Sequence, residues 1–366
     1  MKNWSIRIGT FGGTEVRIHA TFLLLLAFFG WSGVSQGGLP AAFKSVAFLI
    51  AMFTCVLLHE FGHVIAARRY GIKTPDITLL PIGGVARLER MPREPSQEFV
   101  VALAGPAVNV IIALAIFLWR DFMPYTLTDA GLIHGSFLDR LMNWNILMVL
   151  FNMIPAFPMD GGRVLRALLA MFLDYGKATR LAAGIGQSIA ALGAVIALFV
   201  AGNPLLLIIA MFIFLSAGQE ATYVTEQESM RGLLVRHAMV TDFHSLPAGS
   251  VLSDAVQQLL SGSQHDFPVL DAQASFTGML TRTTLIATLA EYGAQHPVSS
   301  VTEPSPTALD PDDLLSNGME KLSASSSPVL PVLDPRTGGL IGLLTAENIA
   351  EMLMVRAALK KIEPLT

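Results

Sequence analysis

Two polar clusters lie in otherwise apolar stretches of the chain, and both carry residue types that metal-assisted hydrolysis requires. The first is an H-E-x-x-H pattern made by His59, Glu60 and His63. Helical spacing puts both imidazoles on one face, where they can share a metal ion, and Glu60 can take a proton from water beside that ion. Two histidines and a glutamate would each demand a partner in an apolar helix, so a chance match explains the pattern poorly.

The second cluster is the sequence N-x-x-P-x-x-P-x-D-G-G over residues 152–162. Its carboxylate, Asp160, is the candidate third ligand, because a catalytic zinc ion takes three protein ligands and keeps one position open. The prolines interrupt the helix and the glycines permit close approach, so a broken helix can aim this carboxylate at a metal. Alternatively, Asp160 only caps a helix over residues 161–172.

Taken together, the two motifs resemble the site-2 protease family of intramembrane zinc metalloproteases, and the resemblance covers roughly the first 220 residues. It implies a substrate peptide bond within or beside a transmembrane helix. It also implies one zinc ion and a role for each motif residue: His59, His63 and Asp160 as zinc ligands, Glu60 as catalytic base, and Asn152 as a group that steadies the substrate backbone or the oxyanion.

Composition agrees with a membrane protein that carries a soluble appendage. Of 366 residues, 52% are hydrophobic and 14% are charged, against about 25% charged in soluble domains. This composition excludes a disordered chain, an ordinary soluble enzyme and a nucleic-acid binder with a basic face. The single cysteine, Cys55, excludes an intramolecular disulfide framework.

Uncharged stretches predict six transmembrane helices in residues 1–222, since a span needs about 20 largely apolar residues. These stretches are residues 20–43, 45–58, 99–118, 141–159, 181–201 and 204–219. If the N-terminus is cytoplasmic, the cytoplasmic segments carry thirteen Lys and Arg residues. The segments on the other side carry three: Lys44, Arg120 and Arg140. The bias predicts a multi-pass protein of the cell membrane with both termini in the cytoplasm.

Short β elements and close helix contacts are expected around these spans. The segment Trp4–Ile18 alternates around Gly12-Gly13 and predicts a β-hairpin. The segment Asp76–Leu88 predicts a short strand or re-entrant element, with a surface loop as the alternative. A strand edge near Ile82–Val85, beside Gly83-Gly84, could receive an unwound substrate segment. The group Ala104-Gly105-Pro106 with Asn109 resembles a small-residue motif of the family, and helix packing is its favoured interpretation.

An internal repeat organises the C-terminal part of the chain. Phe267–Asp271 recurs as Leu330–Asp334, and Gly278–Thr281 recurs as Gly342–Thr345. Each unit is expected to form a helix, two strands and a helix, with the leading helices at Asp254–Leu260 and Asp312–Leu322. This pattern resembles a tandem pair of CBS domains over roughly residues 231–358.

The resemblance to CBS pairs implies a cleft that can hold an adenine nucleotide at Thr281 and Thr345. In that family an Asp follows three residues after the Thr, but here Thr284 and Asn348 stand there. Residues 223–366 also carry a net charge of −8, which disfavours a polyanion. A nucleotide is therefore doubtful, and a structural or homodimerising role is the alternative.

The expected fold class is a polytopic α-helical membrane protein of six spans with small β elements, joined to a cytoplasmic α+β tandem CBS domain. The expected boundaries are a protease domain at 1–222, a linker at 223–235 and CBS domains at 236–300 and 301–358. The expected function is zinc-dependent intramembrane proteolysis with a regulatory CBS pair. Its partners are a transmembrane protein substrate and the lipid bilayer, without nucleic acid. The alternatives are a CBS-regulated transporter and a catalytically silent membrane scaffold.

Overall fold

The chain divides into two compact units, one ending at Val224 and the other beginning at Thr225. The computed structural model describes residues 4–81, 83–87, 92–119, 135–303 and 307–362. Ile82 and Leu88 of the predicted strand segment and Arg120 of the predicted outside loop lie outside these ranges. The helices of the apolar half are α1 (Ala20–Arg69), α2 (Pro95–Trp119), α3 (Phe137–Asn152), α4 (Asp160–Ala170), α5 (Tyr175–Phe199) and α6 (Pro204–Ser229).

A four-stranded sheet lies among the first helices. Its strands are β1 (Ser5–Phe11), β2 (Thr14–His19), β3 (Asp76–Leu80) and β4 (Gly83–Arg87), hydrogen-bonded in the order β1-β2-β3-β4. The predicted hairpin is confirmed, with its turn at Gly12 and Gly13, which both have positive φ angles. The segment from Asp76 forms two antiparallel strands, and the first of them pairs in parallel with β2.

Helix α1 is two antiparallel arms joined by a tight turn. Gly37 and Gly38 have non-helical backbone angles, and Gly38 has a positive φ of 72°. A Cβ on Gly33 would lie 2.4 Å from the Cα of Ala42, so the arms touch backbone to backbone near the turn. Further from the turn, the rings of Phe22 and Phe53 pack edge to face at 4.6 Å. The second arm carries the H-E-x-x-H pattern.

Within the described residues, four helices are long and apolar enough to cross a membrane: α1, α2, α5 and α6. The prediction of six such helices is not confirmed, for two physical reasons. Residues 20–43 and 45–58 fall in one 50-residue element, α1, because helical structure resumes directly after the turn. The fourth predicted span yields α3, whose 16 residues are shorter than the roughly 20 that a span requires.

The segment from α3 to α4 is a compact loop that places Asp160. Helix α4 begins at Asp160 and ends at Ala170, slightly earlier at both ends than expected. Cβ atoms on Gly161 and Gly162 would stand 2.3 Å from the Ile154 carbonyl oxygen and 2.6 Å from the Ala156 carbonyl carbon. Only glycine lets the first turn of α4 lie this close to the preceding loop.

The second unit contains two copies of the expected repeat. The first has β5 (Leu246–Pro247), α7 (Leu252–Ser261), β6 (Phe267–Leu270), β7 (Phe276–Leu280) and α8 (Arg282–Tyr292). The second has α9 (Leu315–Ala324), β8 (Val329–Leu333), β9 (Leu340–Thr345) and α10 (Ala346–Ile362). Helix α9 begins three residues later than predicted. Each repeat has its own apolar core, which includes Phe267 in the first and Leu330 in the second.

Candidate metal centre

Three buried side chains from two helices converge on one point. His59 and His63 extend from the second arm of α1, and Asp160 is the first residue of α4. Their ligand atoms all lie within 4.8 Å of one another. The Nε2 atoms of the two imidazoles are 3.1 Å apart, and each is 3.2 Å from Oδ2 of Asp160. The helical spacing therefore brings both imidazoles to one face, as predicted.

The far nitrogen of each imidazole faces an oxygen atom. Nδ1 of His59 lies 2.5 Å from Oδ1 of Asn109, and Nδ1 of His63 lies 2.8 Å from the main-chain oxygen of Val101. An oxygen of this kind only accepts hydrogen bonds, so each Nδ1 carries the proton and donates. Both Nε2 atoms then present lone pairs towards Asp160. Such outer contacts orient the histidines of metal sites and fix their tautomers.

The residues present fit a bound cation. Two Nε2 lone pairs and Oδ2 of Asp160 are all acceptors, and this carboxylate oxygen is buried without a hydrogen-bond donor among the described residues. Acceptors held this close repel one another unless a positive ion lies among them, and a buried atom without a partner calls for such an explanation. Two imidazoles and a carboxylate are ligands that zinc takes in catalytic sites.

Close packing of α2 against α1 shapes the back of the cluster. A Cβ on Gly105 would stand 2.2 Å from Nε2 of His63 and 2.8 Å from Nε2 of His59. One on Gly62 would stand 2.5 Å from the carbonyl oxygen of Ala104. The small-residue motif thus packs helices together, as favoured from the sequence. Gly105 also leaves the space that the two ligand nitrogens occupy.

Glu60 lies between the ligand cluster and the edge of the sheet. It is half-buried and interacts electrostatically with both histidines and Asp160. Its other neighbour is β4, because a Cβ on Gly84 would stand 2.7 Å from Cγ of Glu60. Within the described residues, β4 pairs only with β3, which leaves its other edge without a strand partner.

The other residues singled out from the sequence lie apart from this cluster. Asn152 is the half-buried last residue of α3, and among the described residues no hydrogen bond links it to the ligand atoms. In the second unit, Thr281 accepts a hydrogen bond from the main-chain N–H of Thr284, and Thr345 accepts one from that of Asn348. Both threonines therefore act as helix caps.

Two polar networks are not predicted from the sequence, because one consists of uncharged amides and the other of charged groups that lie outside the predicted spans. The first contains Asn109, whose Nδ2 donates to Oδ1 of Asn145 over 2.7 Å. The sequence feature that could have predicted this network is a pair of amide side chains at similar depth in two apolar segments. The second is an ion cluster: fully buried Arg166 contacts Glu98 at 2.5 Å and Glu220 at 2.6 Å. Both glutamates lie just outside the predicted spans.

Similarity to known proteins extends over both units. The family model for Peptidase family M50 matches residues 47–128, which include the H-E-x-x-H pattern. A zinc metalloprotease from Methanocaldococcus jannaschii is 31% identical over 269 residues, covering 74% of this chain and 76% of that protein. The solved structure of a site-2 protease from that organism is 35% identical and covers 60% of this chain and 95% of that chain, with a TM-score of 0.44. The CBS-pair protein CBSX2 from Arabidopsis thaliana is 24% identical and covers 37% of this chain and 99% of that chain, with a TM-score of 0.31.

Proposed function

Since the chain belongs to peptidase family M50, the site-2 protease family of membrane zinc metalloproteases, we propose that it cleaves a peptide bond within or next to a transmembrane helix of another protein. The observation that carries the proposal is the convergence of His59, His63 and Asp160, with an acceptor atom of Asp160 buried without a donor from any described residue. The cluster lies in helices of an apolar domain, as cleavage inside the bilayer requires.

In this proposal the three converging side chains hold the metal and Glu60 moves the proton. Bound zinc supplies a Lewis acid that polarises the scissile carbonyl and makes water more acidic. Glu60 accepts a proton from the attacking water and donates it to the leaving amine nitrogen. Asn152 binds the substrate backbone or the developing oxyanion, a role open to it because no described residue hydrogen-bonds its side chain.

The substrate adds as a strand to the free edge of β4. A transmembrane helix must unwind before cleavage, because its carbonyl and N–H groups are otherwise hydrogen-bonded to each other. Strand addition would satisfy the exposed groups and fix the register of the substrate. Support comes from the position of Gly84 against Glu60, which brings this edge to the proposed base.

This edge contact has a direct test. The test uses synthetic substrates that each carry one methylated backbone nitrogen. Cleavage should be impaired when the methyl group is at every second residue, because alternate N–H groups of a strand face the same neighbour. An effect that is uniform along the substrate, or confined to the scissile bond, would contradict strand addition.

We further propose that the protein crosses the cell membrane six times with both termini in the cytoplasm, and that the CBS-like pair regulates cleavage or forms a homodimer. The basic inside segments support the orientation. The six spans would be the two arms of α1, the 16-residue α3, and the helices α2, α5 and α6. Dimerisation is tested by light scattering of the full chain in detergent, which should give the mass of two copies. A monomer at all concentrations would contradict dimerisation.

The proposed reaction is tested by cleavage in proteoliposomes that contain a model transmembrane helix. The wild type should release fragments whose ends, located by mass spectrometry, lie within the apolar segment or beside it. Glu60→Gln should release none. Cleavage only in soluble loops would contradict the intramembrane site, and flux of ions without any cleavage would favour the transporter alternative.

A further inference from the structure

The imidazoles of His59 and His63 are held in different ways. His63 donates to a main-chain oxygen, that of Val101, which cannot change from acceptor to donor. His59 donates to the side-chain amide of Asn109. An amide that rotates by 180° exchanges its oxygen for an NH2 group. The tautomer of His59 therefore depends on whatever fixes the orientation of Asn109.

Asn145 supplies that restraint from α3. Nδ2 of Asn145 lies 2.8 Å from the main-chain oxygen of Leu141, which can only accept, so the NH2 group faces Leu141. Oδ1 of Asn145 must then face Asn109, and it accepts from Nδ2 of Asn109 over 2.7 Å. This leaves Oδ1 of Asn109 directed at His59. A fixed main-chain carbonyl thus sets the direction of every hydrogen bond in the series.

The remaining neighbours of these amides do not fix their orientation. Nδ2 of Asn109 also lies 3.6 Å from Sδ of Met148, and the thiol of Cys55 neighbours the side chain of Asn145. A thioether is a weak acceptor, and a thiol is a weak donor and a weak acceptor, so neither outweighs an amide oxygen. Asn109 and Asn145 are both fully buried, so bulk solvent does not reach either amide.

We propose that Asn145 is a positioning residue that acts through Asn109 to keep the proton of His59 on Nδ1 and the lone pair of Nε2 free for zinc. Without Asn145, the amide of Asn109 can turn its NH2 group towards His59. The proton of the imidazole then moves to Nε2, and the metal loses one ligand. This inference rests on the proposed role of His59 as a zinc ligand.

A double-mutant cycle on the purified full chain tests the inference, with the zinc dissociation constant measured by chelator competition as the readout. Asn145→Leu should weaken zinc binding about tenfold, the lower end for outer contacts of metal ligands. In an Asn109→Asp background the same substitution should change affinity less than about twofold. A carboxylate presents an oxygen to His59 in either orientation and no longer needs Asn145.

Asn143→Leu is the matched control, because Asn143 is equally buried in the same helix and its side chain has no hydrogen-bond partner among the described residues. It should leave zinc affinity within about twofold of the wild type even if the melting temperature changes. Should the leucine variant at 145 not fold, Asn145→Ala removes the same acceptor with less added bulk.

The outcomes separate this inference from the function on which it rests. Equal losses of zinc affinity in both backgrounds, or no loss in either, would overturn the role of Asn145 while leaving the zinc protease intact. A wild type that binds no zinc would overturn the proposed metal site itself. The inference is supported if Asn145→Leu lowers zinc affinity about tenfold in the chain that retains Asn109 but not in the Asn109→Asp background.

Discussion

Gly84 of β4 lies directly against Glu60, so closely that a Cβ atom on the glycine would stand 2.7 Å from Cγ of the glutamate and 3.2 Å from its Oε1. The contact joins the proposed catalytic base to the strand edge proposed to bind the substrate. Gly84→Ala should therefore displace Glu60 and reduce kcat about 100-fold, the order expected for a misplacement near 1 Å.

Zinc content separates this effect from damage to the metal site, and it should stay at the wild-type level in Gly84→Ala. Gly184→Ala is the matched control, since no atom lies within 4 Å of the added carbon. Full activity of Gly84→Ala would contradict the proposed link between β4 and the base.

Gly105 gives a prediction about the metal rather than the base. Gly105→Ala would place a carbon 2.2 Å from Nε2 of His63, so the imidazoles must move away from Asp160. We expect zinc affinity to fall by at least about 100-fold, the upper end for perturbed ligand orientation. Gly193→Ala, where the nearest atom is 3.9 Å away, should retain zinc. Wild-type affinity in Gly105→Ala would show that the ligand cluster does not depend on this contact.

Much of the metal site could be predicted from the sequence, because its chemistry is carried by charged and imidazole groups in apolar helices. His59, His63 and Asp160 converge because helical spacing fixes the first two and the glycines after Asp160 let α4 lie against the preceding loop. The membrane character followed equally directly from the length of the uncharged stretches.

The number of spans and the outer hydrogen bonds could not be predicted in the same way. The turn at Gly37-Gly38 merges two apolar segments into one element, and the contacts between Gly33 and Ala42 and between Phe22 and Phe53 show that the arms fold back. Asn109 was visible as a polar residue in a span. Its partner Asn145 depends on how α2 and α3 pack, which local sequence does not encode.

The buried ion cluster around Arg166 predicts a large effect on stability. Arg166 is 1% exposed and contacts fully buried Glu98, so removal of the guanidinium leaves a carboxylate without compensation. Arg166→Leu should lower the free energy of unfolding by about 3–5 kcal/mol, measured by denaturant titration in mixed micelles. Arg180 is exposed, so Arg180→Leu should change the free energy of unfolding little. If the two variants are equally stable, the cluster does not stabilise the fold.

The CBS-like pair should bind adenine nucleotides poorly. The hydroxyl of Thr284 donates to Glu303 over 2.6 Å, and the side chain of Asn348 is hydrogen-bonded to Thr345, so both positions are already engaged. AMP or ATP at 1 mM should stabilise the full chain by less than about 0.1 kcal/mol, as expected for dissociation constants above about 10 mM. A rise of several degrees in melting temperature would instead show a functional nucleotide site.

The central claim, that His59, His63 and Asp160 hold zinc while Glu60 carries the proton, is tested most directly by metal analysis of three purified proteins alongside their cleavage rates. The wild type and Glu60→Gln should each contain one zinc ion per chain, and only the wild type should cleave a transmembrane substrate. Asp160→Ala should lose both zinc and cleavage. Stoichiometric, tightly bound zinc in Asp160→Ala, or undiminished cleavage by Glu60→Gln, would contradict the account.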